Sequence, residues 1–418
     1  MAVTLADVAA RAGVSAATVS RVLSGNYPVA GGTRTRVLRA VEELEYVVNG
    51  PASALAASSS DLVGILVHDI ADPFFGIIAG AVQSEMGDGD GSGGRNGRKL
   101  AVVCNTGGSP ERELTYLTLL QRQRAAAVVL TGGAVEHPEH SPALASRLRR
   151  LADGGTAVVL CGRPPLPEPD AAPGAPAPVP GQRAATDEPA GGTEGGARPG
   201  GGVRPDGGIR PGGSARPEGG TRPDGGARSE GSGIVTVSFD NKGGARRLTE
   251  HLLALGHRTI GYVAGPAERT TTRDRLDGHR LALGAHSPAL LEDAERLTVH
   301  GGAYDRSAGY DGALELLRRT PRVTAVIAAN DTVALGICAA LRDQGLRIPE
   351  DISVAGFDDL PFSADAAPAL TTVRLPLHDA GVRAGRLALG RQAPPPGGVA
   401  TVQAELMARA STAPPRAD

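Results

Sequence analysis

The chain has few aromatic side chains and few cysteines. It is 418 residues long, contains no tryptophan, and only 3% of its residues are aromatic. Its three cysteines, Cys104, Cys161 and Cys338, lack the spacing of a disulfide framework or of a metal site. We therefore expect reduced thiols in the core or at strand ends, and we expect no bound metal.

Long apolar segments are missing as well. No apolar run approaches the ~18 residues that a membrane span needs, and the N-terminus lacks a basic segment followed by a hydrophobic stretch. This predicts a cytoplasmic protein with no membrane partner. Hydrophobic residues make up 41% of the chain, which is enough for a small terminal domain and a two-lobed core.

The N-terminal segment reads as two short capped helices joined by a tight turn. Thr4 can cap the first helix with Asp7 reaching back, Gly13 suits a left-handed stop, and Ser15 can cap the second helix. The first helix carries apolar residues on one face, at Leu5, Val8, Ala9 and Ala12. This arrangement is typical of a helix-turn-helix that reads a DNA groove, although a helical hairpin can also serve packing alone.

The second and third helices complete this unit. Val19, Val22 and Leu23 lie on the inner face of the second helix, and a third helix is predicted from Thr35 to Leu44. Its inner face is assigned to Val37, Leu38, Val41 and Leu44. The domain should end near Tyr46. The residues that we expect to contact DNA are Thr4, Leu5, Ser15, Ala16, Ala17, Thr18, Ser20, Arg21 and Tyr46.

This segment resembles the headpiece of the LacI/GalR (lactose-repressor/galactose-repressor) family of bacterial transcription regulators. The family's hinge pattern Asn-x-x-Ala-x-x-Leu follows it as Asn49-Gly-Pro-Ala52-Ser-Ala-Leu55, with Ser53 in place of the usual arginine. The resemblance implies that two hinge helices pair in the minor groove of double-stranded operator DNA and that Leu55 wedges into a base step. A flexible linker is the alternative, because the run at residues 56–60 contains only alanine and serine.

The net charge of the chain is −2, which is unusual for a protein dedicated to nucleic acid. Residues 1–49 contain five arginines and four acidic residues, so attraction to phosphate is modest. A headpiece with so few basic residues needs two copies to bind tightly. We therefore expect a homodimer.

From residue 62 onward short apolar runs alternate with helical patterns, which predicts an α/β fold with doubly wound parallel sheets. Predicted strands are 62–67, 100–104, 127–130, 157–161, 235–239, 259–264, 325–328 and 352–355; predicted helices include 244–255, 308–318 and 332–344. The resemblance implies two lobes, like those of periplasmic sugar-binding proteins. We predict a headpiece (1–48), a hinge (49–60), a first lobe (61–162 and 348–372), an insert (163–233), a second lobe (234–347 and 373–410) and a tail (411–418).

Two segments depart from the family pattern. Residues 87–97 form a glycine-rich connection, and residues 164–233 form a Pro/Gly-rich insert with an arginine every six residues from Arg198 to Arg228. The insert is too polar to build a core, which predicts disorder. It could tether nucleic acid, but acidic residues between the arginines favour a neutral solvated loop. No Gly-Lys-Ser/Thr follows these glycines, so they do not indicate a phosphate loop.

Candidate effector-binding residues follow the strands, because open α/β sheets bind ligands at strand ends. Asp72, Phe74 and Phe75 follow the first strand and resemble the family's Asn-Pro-Phe-Phe segment, where an aromatic ring covers a sugar; core packing is the alternative. Arg275 matches the family's ligand-binding arginine, although Arg269 or Arg273 could do the same work. Thr271 lies between them, and His279 stands where the family has an aromatic residue.

The sequence Asn330-Asp331-Thr332 closely matches the family's Asn-Asp signature. Asp331 is expected to accept hydrogen bonds from ligand hydroxyls while Asn330 or Thr332 caps the next helix, although Asp331 could serve as a cap alone. Phe357 and Asp358 are expected at the cleft or at the lobe crossover. Together these residues describe a site for a small sugar-like molecule.

Two other classes of protein share this fold. An enzyme finds little support, because no nucleophile elbow, metal-binding His-Glu-x-x-His, phosphate loop or dinucleotide fingerprint is present. A sugar-binding transport protein would need export and no headpiece. The headpiece therefore predicts a DNA-binding regulator without catalytic activity or cofactor. The resemblance implies a repressor of carbohydrate-utilisation genes that a sugar-like effector releases from a palindromic operator, although some members of the family use their ligand as a corepressor.

Overall fold

The computed structural model describes residues 3–24, 29–44, 60–87, 99–167 and 233–416. Three helices form an N-terminal unit, and two parallel sheets with helices packed against them account for most of the remaining described residues. This confirms the predicted α/β fold class with an N-terminal helix-turn-helix region. Within these ranges no helix is both long enough and apolar enough to cross a membrane.

The N-terminal unit contains helices α1 (Leu5–Ala12), α2 (Ala16–Ser24) and α3 (Gly31–Glu43). Thr4 and Asp7 form the predicted capping box at the start of α1, and Gly13 ends that helix in the left-handed conformation with φ of 66°. Buried Val8, Val19 and Val37, one from each helix, meet in a shared core. The predicted three-helix unit is confirmed.

The third helix differs from the prediction in two ways. It begins at Gly31 instead of Thr35, and Leu38 is 39% exposed although we expected it in the core. Val37, Ala40 and Val41 are buried, and they lie at the i, i+3, i+4 spacing of one helical face. Leu38 is displaced from that face by about 100°.

The first lobe contains a parallel six-stranded sheet in the order β11-β5-β4-β3-β1-β2. Its strands are β1 (Leu62–Val67), β2 (Leu100–Asn105), β3 (Ala127–Thr131), β4 (Ala157–Cys161), β5 (Ile234–Phe239) and β11 (Val399–Val402). Its helices are α4 (Pro73–Gly87), α5 (Pro110–Arg122), α6 (His140–Asp153) and α13 (Leu377–Ala388). Every residue of β3 is buried, which explains its continuous apolar sequence.

The second lobe contains a parallel four-stranded sheet in the order β7-β6-β8-β9. Its strands are β6 (Ile260–Ala264), β7 (Thr298–His300), β8 (Ala325–Ala328) and β9 (Ser353–Ala355). Its helices are α7 (Asn241–Ala254), α8 (Thr270–His286), α9 (Pro288–Asp293), α10 (Arg306–Arg319) and α11 (Asp331–Asp343). An antiparallel pair, β10 (Thr372–Arg374) and β12 (Glu405–Met407), a short helix α12 (Pro361–Asp365) and a 3-10 turn (Pro396–Gly398) complete the described elements.

The predicted division of the chain between the lobes is wrong in three places. Strand β5 pairs with β4, so residues 234–239 belong to the first sheet. Strand β9 pairs with β8, so the start of the segment 348–372 belongs to the second sheet. Helix α13 and strand β11, which we placed in the second lobe, pack in the first. The chain therefore crosses between lobes after β5, after β10 and after β11.

Candidate functional site

The outer surface of α2 is the candidate DNA interface. Ser15, Ala16, Ala17, Ser20 and Arg21 are exposed, whereas Val19 and Val22 are buried between them. The Ser15 hydroxyl accepts a hydrogen bond from the Thr18 amide at 3.2 Å, so Ser15 caps α2 as predicted. Small exposed side chains at a helix start allow close approach to base edges.

Two further candidates flank this surface. Thr4 is exposed at the start of α1, and Leu5 is half-buried against the headpiece core, so part of its side chain serves packing. An ion pair between Arg11 and Glu43 joins α1 to α3. Tyr46 and Leu55, the remaining predicted DNA contacts, lie outside the described residues.

A cavity of about 520 Å³ lies between the two lobes at the carboxyl ends of their strands. This is the location at which open α/β sheets bind small molecules, and the volume suits such a ligand. Eight of the ten predicted effector residues line it: Asp72, Phe74, Phe75, Arg269, Thr271, Arg275, Asn330 and Asp358.

The segment after β1 forms an aromatic wall. Asp72 accepts a hydrogen bond from the Phe74 amide at 3.0 Å and so caps α4, while burial raises the pKa of its carboxyl. The rings of Phe74 and Phe75 meet edge to face with centroids 5.0 Å apart. Both rings are half-buried and both line the cavity, so neither is a pure core residue.

Arg275 is held rigidly at the base of the cavity. Its Nη2 donates to the Asp358 carboxylate at 2.7 Å, its Nε donates to the Asn241 side chain at 3.0 Å, and its Nη1 donates to the Ala329 carbonyl. The guanidinium lies 3.8 Å above the Phe357 ring. Phe357 is fully buried and does not line the cavity. It therefore acts on a ligand indirectly, by supporting the Arg275 guanidinium.

Asp358 combines a strained backbone with a perturbed carboxyl. Its φ is +107°, which is unusual for a residue with a side chain and is often found at functional sites. Burial, together with the nearby carboxyls of Asp331 and Asp72, raises the pKa of Asp358 to about 7 despite the Arg275 guanidinium.

Asp331 does not face the cavity, and its predicted role in accepting ligand hydrogen bonds does not fit the structure. Its side chain is completely buried and accepts hydrogen bonds from the Leu360 amide at 2.8 Å, the Ser363 hydroxyl at 2.7 Å and the Thr372 hydroxyl at 2.6 Å. These donors lie in segments that lead to the lobe crossover. Asn330 caps α11 as expected, by accepting from the Val333 amide at 2.8 Å.

The rim of the cavity joins the lobes directly. Arg269, from the second lobe, donates to the His68 ring at 2.7 Å and to the Gly133 carbonyl at 3.2 Å, and both acceptors follow strands of the first lobe. The Thr270 hydroxyl accepts from the Ala134 amide at 3.0 Å. An exposed ion pair between Arg273 and Glu136 closes the same edge.

Sequence reasoning missed several lining residues as effector-site candidates, among them His68, Arg163, Tyr304 and Thr332. The first three lie within a few residues of the ends of β1, β4 and β7, where the same strand-end argument applies. Strand β7 was not predicted, because three residues are too few to show alternation. Thr332 was considered only as a cap, yet its buried hydroxyl has no hydrogen-bond partner in the described structure.

Comparison with known proteins agrees with this architecture. Residues 4–49 match the family described as bacterial regulatory proteins, lacI family, and residues 249–412 match a periplasmic binding protein-like domain. The chain is 31% identical to the transcriptional regulator GalS of Salmonella typhimurium over 93% of this chain and 89% of that protein. It is also 31% identical to the regulator CelR of Thermobifida fusca over 93% and 91% of the two chains.

Solved structures give the same result. The chain is similar to the structure of a CelR–cellobiose complex, with 28% identity, a TM-score of 0.56 and coverage of 98% and 99% of the two chains. It also resembles the lac repressor dimer bound to operator and the anti-inducer ONPF, with a TM-score of 0.65 and coverage of 99% and 100%. Because the identity to the lac repressor is 23%, this second similarity supports the fold only. The chain belongs to the lacI family of bacterial regulatory proteins and is a DNA-binding transcriptional regulator with a periplasmic-binding-protein-like core.

Proposed function

We propose that this regulator is a homodimeric repressor of carbohydrate-utilisation genes that a small sugar-like effector releases from a palindromic operator. One observation carries the proposal: a single chain joins an exposed helix of the headpiece to a cavity between two lobes that is lined by both polar and aromatic side chains. The relatives that match the chain over most of its length are transcriptional regulators, and we infer that the cavity binds a ligand without chemistry.

The chemistry of the cavity supports a polyol. Asn330, Asp358 and Arg275 offer hydrogen-bonding groups to hydroxyls, and the Phe74 and Phe75 rings offer an apolar wall to the carbon face of a sugar ring. CelR, which is similar to this chain over nearly its whole length, has a structure described as a complex with cellobiose. Both the residues that line the cavity and the similarity to CelR therefore favour a carbohydrate as the effector.

Strand β2 supports the homodimer. It lies at the edge of the first sheet, and its side chains Leu100, Val102 and Val103 are 64%, 38% and 38% exposed. An uncovered apolar edge strand promotes aggregation unless another surface covers it. A second copy of the chain would cover β2, as expected for a protein whose headpiece needs two copies to bind DNA tightly.

DNA reading is assigned to α2. Ala16 and Ala17 suit contact with thymine methyl groups, while Thr18, Ser20 and Arg21 suit base edges or phosphates. Thr4 and Leu5 would support this contact, and Tyr46 and Leu55 are proposed to extend it through the hinge. Closure of the cleft would then shift the first lobes of the dimer and separate the paired hinge segments.

The proposal is tested by operator binding. Purified protein should shift a DNA fragment from upstream of its own gene, and Arg21→Ala should abolish that shift at physiological salt. Arg150→Ala removes an equal charge from an exposed position on helix α6 of the first lobe. This variant should bind operator DNA as the wild type does. Equal binding by the Arg21 and Arg150 variants would refute the assignment of α2.

A further inference from the structure

Three nitrogen-containing side chains converge in one corner of the cavity. His68 follows β1, Arg163 follows β4 and Arg269 follows β6, and all three line the cavity. Arg269 donates to the His68 ring at 2.7 Å. Burial lowers the pKa of both partners, and the positive charge of Arg163 lowers it further. We call these three residues the basic corner.

The basic corner has more positive charge than its buried partner can balance. Glu113 contacts the Arg163 guanidinium and lies 3.0 Å from the His140 ring; burial opposes its ionisation, but these partners lower its pKa to about 2, so it is ionised at neutral pH. Among the described residues, the acceptors of Arg269 are neutral: the His68 ring and the Gly133 carbonyl. Two guanidinium groups therefore share one buried carboxylate, and the nearby Asp69 is exposed to solvent.

Hydrogen-bond donors in this corner are also unused. Arg163 is 8% exposed, and its Nε and Nη1 atoms have no hydrogen-bond partner among the described residues. Because a guanidinium can only donate, the His68 Nδ1 atom accepts from Arg269, which leaves the proton of the neutral ring on Nε2. Buried donors without acceptors are costly, and an anion that supplies acceptors would relieve that cost.

Other lining residues have a different character. Asp72, Asn330 and Asp358 are among them, and the buried Thr332 hydroxyl has no hydrogen-bond partner among the described residues. These groups suit hydroxyls, which can both donate and accept hydrogen bonds. The lining therefore combines a basic corner with groups that are receptive to hydroxyls.

We propose that the effector is an acidic sugar: a polyol bearing one carboxylate or phosphate group that the basic corner binds. The planar guanidinium groups of Arg163 and Arg269 suit the oxygen pairs of either anion. The hydroxyls of the ligand would meet Asn330, Thr332 and Asp358. This inference rests on the proposed function, in which an effector binds the cavity, and it narrows that effector to one chemical class.

The test measures thermal unfolding of the full-length protein with matched probes at constant ionic strength. Galactose and glucose are compared with the corresponding aldonates, uronates and 6-phosphates, and inorganic phosphate and acetate are added as bare anions. A ligand that binds only the folded protein raises the melting temperature. We expect anionic probes to raise it more than the matched neutral sugars, and the preference between carboxylate and phosphate probes identifies the anion.

Arg269→Gln tests the corner directly, because the described acceptors of Arg269 are neutral groups and its loss leaves no buried carboxylate among them unpaired. The apparent Kd of the tightest anionic probe should rise by about tenfold or more. Arg273→Gln is the matched control, since Arg273 lies one helical turn further along α8 and pairs with Glu136 on the surface. That variant should bind the probe as the wild type does. Arg163→Lys, which retains the charge, should keep part of the affinity.

Three results would overturn the inference: a neutral sugar that stabilises more than its acid or phosphate, wild-type affinity in Arg269→Gln, or no stabilisation by any anionic probe. Operator binding is measured separately and distinguishes the two proposals. Release of operator by a neutral sugar alone contradicts the acidic-sugar inference but leaves the proposed repressor intact. Failure of the protein to bind operator DNA contradicts the proposed repressor function. In that case the melting temperatures still test whether the cavity binds an anionic ligand.

Discussion

At the residue scale, Asp331 and Thr332 show how neighbouring polar side chains divide between the fold and the cavity. Asp331 is enclosed by three donors that hold the start of α11 against the crossover segments. The Thr332 hydroxyl lies in the cavity wall, where no described residue forms a hydrogen bond with it. One position along the chain therefore separates a structural carboxylate from a group available to a ligand.

Asp331→Ala should destabilise the protein because it leaves buried donors without their acceptor. We expect a loss of about 3 kcal/mol in the free energy of unfolding, with a melting temperature lower by roughly 5–10 °C. Thr332→Ala removes a hydroxyl with no partner and should melt within about 2 °C of the wild type. Similar melting temperatures for both variants would contradict this account of Asp331.

The pH dependence of stability provides a second test of Asp331. Burial raises the pKa of its carboxyl from the ordinary value of 3.8 to about 6, although its three hydrogen bonds act in the opposite direction. The folded protein therefore holds this proton more tightly than the unfolded chain, and the stability from Asp331 decreases as the pH rises from about 4 to about 6. Asp331→Asn cannot titrate, so its melting temperature relative to the wild type should increase across that range. A difference that stays constant from pH 4 to pH 7 would contradict the raised pKa.

Sequence reasoning located the cavity but could not orient each side chain. The strand-end rule placed Asp72, Arg275 and Asn330 correctly on the cavity. It did not reveal that Asp331 points toward Ser363 and Thr372, because those donors arrive from segments far along the chain. Arg163 was overlooked because we assigned residue 163 to the insert, whereas its side chain is buried in the cavity wall and pairs with Glu113 on α5.

At the element scale, glycines allow helices of the second lobe to approach closely. A Cβ atom at Gly336 on α11 would lie 2.0 Å from the Arg306 carbonyl oxygen, and one at Gly309 on α10 would lie 2.1 Å from the Val333 carbonyl oxygen. These contacts involve backbone atoms, which cannot rotate away. The separation of α10 and α11 therefore depends on the absence of side chains at their contact.

Gly336→Ala should force these two helices apart and lower the melting temperature by several degrees, since overpacking costs about 1–3 kcal/mol. Gly80→Ala is the matched control on α4, because a Cβ placed there would meet no described part of the chain outside its own helix within 4 Å. That control should be neutral or slightly stabilising, as alanine favours helix more than glycine does. A Gly336 variant as stable as the Gly80 variant would show that the helices are not in tight contact.

The strands themselves were predictable, whereas their pairing was not. The apolar runs at 62–67 and 157–161 coincide with β1 and β4. Nothing within Ile234–Phe239 indicates that it pairs with β4 instead of with a strand of the second lobe, because both sheets are parallel and buried. The three crossovers between the lobes determine which sheet each strand joins. They depend on contacts between segments that are distant in sequence.

At the scale of the whole molecule, the long insert joins two strands that lie side by side. Val158 on β4 is paired with Ile234 on β5, and the connection runs from the carboxyl end of one to the amino end of the other. A parallel pair needs a crossover of about a dozen residues. The rest of the insert is not needed to make this connection.

Deletion of residues 172–228 should therefore leave folding and operator binding unchanged, and it retains Arg163 at the cavity. Loop-closure entropy should favour the shorter chain by about 1 kcal/mol. Thermal melting and operator titration of the deletion variant measure both quantities. Loss of operator affinity with an unchanged melting temperature would show that the arginine repeats bind DNA.

The central claim is that a ligand in the cavity between the lobes controls DNA binding by the headpiece of the same molecule. The most direct measurement is operator affinity by fluorescence anisotropy, with and without the probe that most raises the melting temperature. We predict that this probe weakens operator binding by about tenfold or more. An unchanged operator affinity at a probe concentration that saturates the cavity would contradict the claim.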